Sequence, residues 1–314
     1  MTKKIAKAFA PGAISSFFEI LNTYPNGTPI TDLHHIGARG GGFGLQCGVH
    51  TKVTLEDASE NKVQIILNNQ PTLEAKVTNT MVQMLLEKVS KKYAVLVEHQ
   101  IDVPIGLGFG TSAGGALTTG MALSQALNLP LSFNQIGRLA HLVELQLQTG
   151  LGTVSSLTFS GGLVLVTEPG APGICKLDRI PIDPNYVLVV GYYPLLISKA
   201  SVLASSQRKH QINVYGQRTL EAILAEPCLE NFLEQCWAFS QDAGFATEGV
   251  CELIRVAKRA GAVGAAQNML GEAVHAVVPL ENVLSVVAGF RQTLSSNNVV
   301  VSRIDFEGVR LVGR

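Results

Sequence analysis

The densest group of residues that could do chemistry is a glycine-rich segment, Pro104–Ala116. Gly106, Gly108 and Gly110 permit a tightly bent backbone that a ligand can approach closely. The helix predicted to begin near Thr111 would add unpaired amide groups and the positive end of its dipole, which favours an anion such as phosphate. The segment lacks the Gly-Lys-Ser/Thr sequence of a Walker loop and fits the dinucleotide fingerprint poorly. A closely packed strand-to-helix turn is the alternative interpretation.

A polyphosphate bound in this segment would need a metal ion, because no lysine lies near it in the sequence. Ser112 could supply a hydroxyl and Glu144 a carboxylate, and Mg²⁺ prefers oxygen ligands. Glu144 is the only acidic residue between Asp102 and Glu168 and borders an apolar helix stripe, so it could point inward. A solvated helix carboxylate is the alternative.

The spacing of apolar residues predicts the elements that would position these groups. In the first half we expect strands within 51–67, 95–103 and 163–166, helices at 78–89 and 111–127, and a further helix from the capping box Ser132–Gln135 to about Gly150. The second half predicts a strand at 186–190, helices at 205–225, 229–242, 247–259 and 280–294, and a strand at 299–304. This pattern is typical of an α+β half of the ferredoxin-like kind.

Two domains are expected, residues 1–180 and 181–314, because the turn-rich segment Pro169–Gly173 forms a plausible edge. The glycine-rich segment Gly261–Gly271 could close over a nucleotide or allow tight packing between the two halves. The triplet Arg208–His210 is expected on a solvated helix face, and His141 on a helix surface.

Composition narrows the class of protein. Charged residues make up 15% of the chain and the net charge is +0, against about 25% charged in an average soluble protein. Nothing in this balance favours nucleic-acid binding. The long uncharged stretches contain glycine, proline and polar residues, so we expect no membrane span. No secretory signal is evident, and the 5 cysteines include no Cys-x-x-Cys pair, which favours buried thiols in the cytoplasm. The apolar composition also leaves room for a homodimer interface.

Several segments carry a resemblance to the GHMP kinase superfamily, and within it to the archaeal pantoate kinase family. They follow one another along nearly the whole chain: Ala8–Gly12, Phe17–Glu19, Gly37–Gly44, Pro104–Gly114, Ala140–Glu144, Thr149–Gly152, Gly161–Gly162, Pro169–Gly173 and Met269–Gly271. The resemblance implies an α+β, two-domain fold, with a first half like domain 2 of ribosomal protein S5 and a ferredoxin-like second half. It also implies transfer of the γ-phosphoryl group of ATP, with Mg²⁺, to the primary hydroxyl of pantoate on the route to coenzyme A.

The resemblance also implies roles for individual residues. The phosphates would contact Pro104, Gly106, Gly108, Gly110, Thr111, Ser112, Ala113 and Gly114. Ser112 and Glu144 would hold Mg²⁺. The small hydroxy-acid acceptor would contact Pro11, Gly12, Ser15, Arg39, Ser198 and Lys199. The catalytic set would be Ser112, Glu144, Thr153 and Lys199.

The chain departs from the family pattern at two positions. Thr153 stands where the family has an aspartate suited to the acceptor proton, and the strand Leu163–Thr167 lacks the arginine suited to a substrate carboxylate. Lys199 is one candidate to replace that arginine. Two alternatives therefore stay open: a GHMP kinase for another hydroxy acid, such as a mevalonate phosphate, or a nucleotide-binding homologue without catalysis.

Overall fold

A computed structural model describes residues 3–24, 26–159, 161–194 and 206–313 of the chain. Two sheets and their helices make up the described residues, and the predicted α+β class is confirmed. Among the described residues, no helix is long and apolar enough to cross a bilayer.

The first sheet is built on a long antiparallel hairpin of β1 (Lys4–Leu21) and β2 (Gly37–Asp57). The apolar pattern did not predict β1. The glycines of the segment Gly37–Gly44 lie within β2, between β1 and a further strand. They are needed for close approach of the strands, because a Cβ at Gly42 would overlap the carbonyl oxygen of Ile14.

The further strands of this sheet are β3 (Lys62–Leu67), β4 (Gln70–Pro71), β5 (Tyr93–Ile101), β6 (Leu163–Glu168), β7 (Lys176–Ile180) and β12 (Arg310–Leu311). Its eight strands in the described chain follow the order β12-β1-β2-β5-β3-β4, with β6 paired to β2 and to β7. Its helices are α1 (Lys76–Leu86), α2 (Thr111–Leu127), α3 (Phe133–Gln146) and α4 (Thr153–Phe159). Apolar residues of β1, β2 and β5 share one core with these four helices.

The strands of the second sheet are β8 (Val187–Tyr192), β9 (Gly264–Gln267), β10 (Ala273–Val278) and β11 (Val299–Arg303). They follow the order β11-β8-β10-β9. The helices of this half are α5 (Ser206–Ala225), α6 (Leu229–Asp242), α7 (Glu248–Arg259) and α8 (Val283–Thr293). α7 and α8 share a core with β8 and β10. Because β12 pairs with β1, the end of the chain returns to the first sheet.

A third core joins the two halves. Phe17 of β1 and Phe43 of β2 meet Phe232 of α6, with ring centroids 6.2 and 5.6 Å apart. Within this core, the His275 ring on β10 lies between the Ser16 hydroxyl at 3.0 Å and the Asn268 amide oxygen at 2.8 Å. β1 is therefore held from both halves of the molecule.

Three expectations about single residues are corrected. His141 is buried, with 1% of its surface exposed, and its ring contacts the carbonyl oxygen of Leu33 at 3.2 Å. Of the cysteines, only Cys236 is fully buried and the other four are half-buried thiols. Of the triplet Arg208–His210, His210 is exposed as expected, whereas Arg208 and Lys209 are half-buried and the Arg208 guanidinium lies over the Phe245 ring at 5.1 Å.

Candidate active site

The glycine-rich segment forms the turn between β5 and α2. Gly106, Gly108 and Gly110 have φ angles of +84°, +81° and +63°, a region that other residues avoid. The turn is fixed to β1, because the Ala13 amide donates to the carbonyl oxygen of Phe109 at 2.9 Å. The predicted tight bend is therefore observed.

The N-terminus of α2 carries no side-chain cap. Its first flanking residue is Gly110, whereas α3 begins with the predicted capping box of Ser132 and Gln135. The first amides of α2 are therefore open to an anion, since a helix start leaves its N–H groups without helical partners. The Gly114 amide is not among them, because it donates to the carbonyl oxygen of Gly110 at 3.0 Å. Among the predicted phosphate contacts, the Gly114 amide is therefore already engaged within the helix.

Ser112 and Glu144 are brought together by α2 and α3. The Ser112 hydroxyl donates to Oε1 of Glu144, and the Thr149 hydroxyl donates to the same oxygen at 2.5 Å. Glu144 is only 3% exposed. The inward orientation considered for this carboxylate is therefore confirmed. Thr149 was noted in the sequence only as part of a motif, and its hydroxyl contact depends on the chain returning after α3.

The surroundings of Glu144 fit a hard divalent cation. Within the described residues no Lys, Arg or His lies within ion-pair distance of this buried carboxylate. An isolated buried charge is costly. The described residues also contain no cluster of three His, Cys, Asp or Glu ligands. One carboxylate and one hydroxyl suit Mg²⁺, which usually takes few protein ligands and completes its shell with water and substrate phosphates.

A cavity of about 550 Å³ opens beside the turn, between the two halves. Its wall includes two residues predicted to contact phosphate, two predicted to contact the acceptor and one predicted to be catalytic: Gly108, Gly110, Ser15, Arg39 and Thr153. Thr153 lies directly against the turn, since a Cβ at Gly110 would be 2.9 Å from the Thr153 methyl group.

The other predicted site residues divide into three groups. Pro11 and Gly12 are buried in β1 and do not contribute to the wall, so their predicted acceptor contact is not supported. Pro104, Gly106, Thr111, Ser112 and Ala113 belong to the turn and the first turn of α2 rather than to the wall. Ser198 and Lys199 lie outside the described residues.

Arg39 is engaged within the protein. Its Nε and Nη2 atoms donate to Oε2 of Glu19 at 2.6 and 2.5 Å, across the β1–β2 hairpin. Burial raises the pKa of the Glu19 carboxyl, and the Arg39 charge opposes that rise. Arg39, which was predicted to contact the acceptor, is therefore already paired with a carboxylate of the protein.

Lys209 is a wall residue that the sequence analysis missed, since it was assigned to a solvated face. Its Nζ donates to Oδ1 of Asn22 at 2.7 Å, and both residues line the cavity. The available signal was the spacing of Lys209, Asn213 and Gly216, which places them on one face of α5. In the structure all three face β1.

The second half contributes a short segment that packs against the turn. The Met269 amide donates to the carbonyl oxygen of Ser15 at 2.7 Å, and a Cβ at Gly108 would lie 3.0 Å from the Met269 carbonyl oxygen. Leu270 lies on the cavity wall with φ +62°. Tight packing between the halves, one of the two roles considered for the segment Gly261–Gly271, is therefore observed.

These features are those of a phosphotransferase for small molecules: an uncapped helix start after a glycine turn, an adjacent hydroxyl and carboxylate, and a neighbouring cavity. The GHMP kinases N terminal domain matches residues 76–161, which include the turn and Glu144. The chain belongs to the GHMP kinase family.

Individual relatives cover most of the chain. It is 30% identical over 280 residues to a pantoate kinase of Thermococcus kodakarensis, covering 87% of this chain and 88% of the relative. It is 29% identical over 289 residues to a pantoate kinase of Methanocaldococcus jannaschii, covering 89% and 96%. A solved phosphotransferase related to the CoA biosynthesis pathway superposes with a TM-score of 0.85 at 26% identity, covering 98% of both chains.

Proposed function

We propose that this protein is an ATP-dependent kinase that phosphorylates the primary hydroxyl of pantoate to give 4-phosphopantoate. The two pantoate kinase relatives support the acceptor and the reaction. The buried Ser112–Glu144 pair at the open start of α2 is the observation that carries a live phosphotransfer site. A protein that only bound nucleotide would have no need to bury a carboxylate without a cationic partner.

Different residues of the site contribute to different parts of phosphoryl transfer. The turn and the first amides of α2 bind the phosphates of ATP. Ser112 and Glu144 would hold Mg²⁺, which would supply positive charge beside the transferred phosphoryl group. Ser15 and Thr153 lie on the wall beside the turn, where their hydroxyls can orient the acceptor. The neighbouring cavity is within the usual size range of small-molecule sites.

Catalysis in this scheme does not depend on a strong base. Thr153 cannot accept a proton at neutral pH, and the described wall of the cavity contains no Asp, Glu or His. A loose, metaphosphate-like transition state demands little from the attacking hydroxyl. Positioning and charge neutralisation therefore supply most of the rate.

An acceptor panel tests the proposal. ADP release is measured with ATP, Mg²⁺ and one of several hydroxy acids, including pantoate, mevalonate and mevalonate phosphate. Turnover of pantoate above the rate without acceptor supports the proposal. Turnover of another acid alone would replace the acceptor but keep the kinase. ATP binding without turnover of any acceptor would indicate the non-catalytic alternative.

Two substitutions test the metal assignment. Ser112→Ala and Glu144→Gln should each lower kcat at least about tenfold, or roughly 1.4 kcal/mol in the barrier, because each removes an oxygen ligand. Ser124→Ala on the same helix is the matched control. Its hydroxyl has no hydrogen-bond partner in the described structure, so turnover should be unchanged. Full activity of both site variants would contradict the assignment.

Homodimerisation and a cytoplasmic location stay predictions from the sequence.

A further inference from the structure

The cavity wall carries two cations within its described part, Arg39 and Lys209. Only one of these two side chains is paired with a carboxylate. Arg39 donates twice to Glu19, so that pair is close to neutral overall. Lys209 donates to the neutral amide of Asn22 at 2.7 Å, and no described carboxylate lies within ion-pair distance of it. An ammonium has three donors, so two remain for a ligand.

The position of Lys209 is set by the docking of α5 on β1. One helical turn further on, Asn213 accepts from the Ile20 amide at 2.8 Å and donates to the Ile20 carbonyl oxygen at 2.7 Å. Gly216 then allows close contact, because a Cβ there would overlap the carbonyl oxygen of Phe18. These contacts hold the start of α5 beside the end of β1 and direct Lys209 to the cavity.

The electrostatic surroundings agree with an ammonium that lacks a counter-ion. Partial burial lowers the pKa of Lys209, and no nearby acid opposes that effect. β6 contains only Leu, Val and Thr before Glu168, so it lacks the arginine that the family pattern has on this strand. The described part of the wall therefore has one uncompensated positive charge.

We infer that Lys209, oriented by Asn22, binds the carboxylate of the acceptor and takes the place of the missing strand arginine. The inference rests on the proposed kinase function and specifies its acceptor as an unphosphorylated monocarboxylic acid. One uncompensated charge matches one carboxylate. A phosphorylated acid would bring about 1.5 to 2 further negative charges and would need additional cations.

The test compares an acid with its amide. The kinetics of pantoate and pantoamide are measured at saturating ATP for the unmodified protein and for Lys209→Met. The substitution should raise the KM for pantoate at least roughly tenfold, since it removes a charge-assisted hydrogen bond. The KM for ATP and the turnover of pantoamide should stay within about threefold. The preference for acid over amide should therefore fall by about the same factor as the affinity for pantoate.

Two variants serve as controls. Lys209→Arg keeps the charge and should retain most of the preference for the acid. Arg218→Met removes an exposed cation from the same helix, outside the cavity, and should change neither KM. Melting temperatures establish that all three variants fold. An unchanged acid-to-amide preference in folded Lys209→Met would overturn the inference, as would mevalonate phosphate being a better acceptor than pantoate.

The outcome is separable from that of the proposed function. If another hydroxy acid is the substrate, the same comparison is made with that acid and its amide. If nothing is turned over, calorimetry measures pantoate binding in the presence of a non-hydrolysable ATP analogue. Loss of pantoate binding in Lys209→Met then supports the assignment, and unaltered binding contradicts it.

Discussion

Glu144 keeps its position because the residue facing it has no side chain. A Cβ at Gly150 would overlap Oε2 of Glu144, while Ser112 and Thr149 hold the other oxygen. The glycine of the Thr149–Gly152 motif thus makes room for the carboxylate. Gly150 does not have a positive φ, so what this position requires is the space left by the missing side chain.

Gly150→Ala should therefore act on the chemistry. We expect kcat to fall about tenfold or more, because the carboxylate must rotate away from Ser112. Gly115→Ala on α2 is the matched control, since the nearest atom to its added Cβ would be 3.9 Å away. That change should leave kcat unaltered and stabilise the helix by about 0.5–1 kcal/mol. Equal activity of the two variants would contradict this role for Gly150.

At the scale of elements, α2 and α3 begin in different ways for different tasks. α3 closes its own start with Ser132 and Gln135, whereas α2 leaves its first amides open beside the cavity. An open helix start is less stable, because its amides lack partners. It provides a positive potential where phosphates would bind.

Thr111→Asp should weaken ATP binding and stabilise the protein. A carboxylate in the first turn of α2 should stabilise the protein by about 0.3–1 kcal/mol through the helix dipole. The same charge would repel the phosphates, so the KM for ATP should rise several-fold while the KM for the acceptor changes little. Thr111→Val, which keeps the shape of threonine and adds no charge, is the control. Thermal melts and ATP titrations of both variants measure the two effects, and an unchanged KM for ATP in Thr111→Asp would contradict an anion site here.

At the scale of the whole molecule, buried neutral histidines couple stability to pH. Burial lowers the pKa of His99 to about 4 and that of His275 to about 3. His99 contacts the hydroxyls of Thr51 and Thr78 at 2.8 and 2.9 Å in the first half, and His275 joins the two halves. Both rings are neutral in the folded protein at neutral pH.

Stability should fall as the pH drops below about 6.5. The unfolded chain takes up protons at these histidines near that pH, whereas the folded chain does so only near pH 4 and pH 3. Each of these two histidines should lower the free energy of unfolding by about 2 kcal/mol between pH 8 and pH 5. Urea unfolding at several pH values measures this, and His99→Gln should remove about 2 kcal/mol of the change. His35→Gln, at an exposed site, is the control. An identical pH dependence of His99→Gln and the unmodified protein would contradict the assignment.

The sequence by itself determined the local features of the site. The turn Pro104–Gly110, the bounds of α2 at 111–127 and the capping box of α3 all follow from residues that are neighbours in the chain. Glycine conformations, helix starts and apolar periodicity depend mainly on such neighbours, so the pattern alone was sufficient. The Ser112–Glu144 pair could be suspected for the same reason, since each lay on a predicted helix.

Only the tertiary structure decided which charged side chains line the cavity and how they are paired. β1 was not recognised, because its residues are buried on both faces and lack the alternation of a half-buried strand. The neutralisation of Arg39 by Glu19 needed the register of the hairpin. The assignment of Lys209 needed the docking of α5 against the end of β1, a contact between residues far apart in sequence. Such contacts depend on how elements pack, and periodicity within a single element does not encode them.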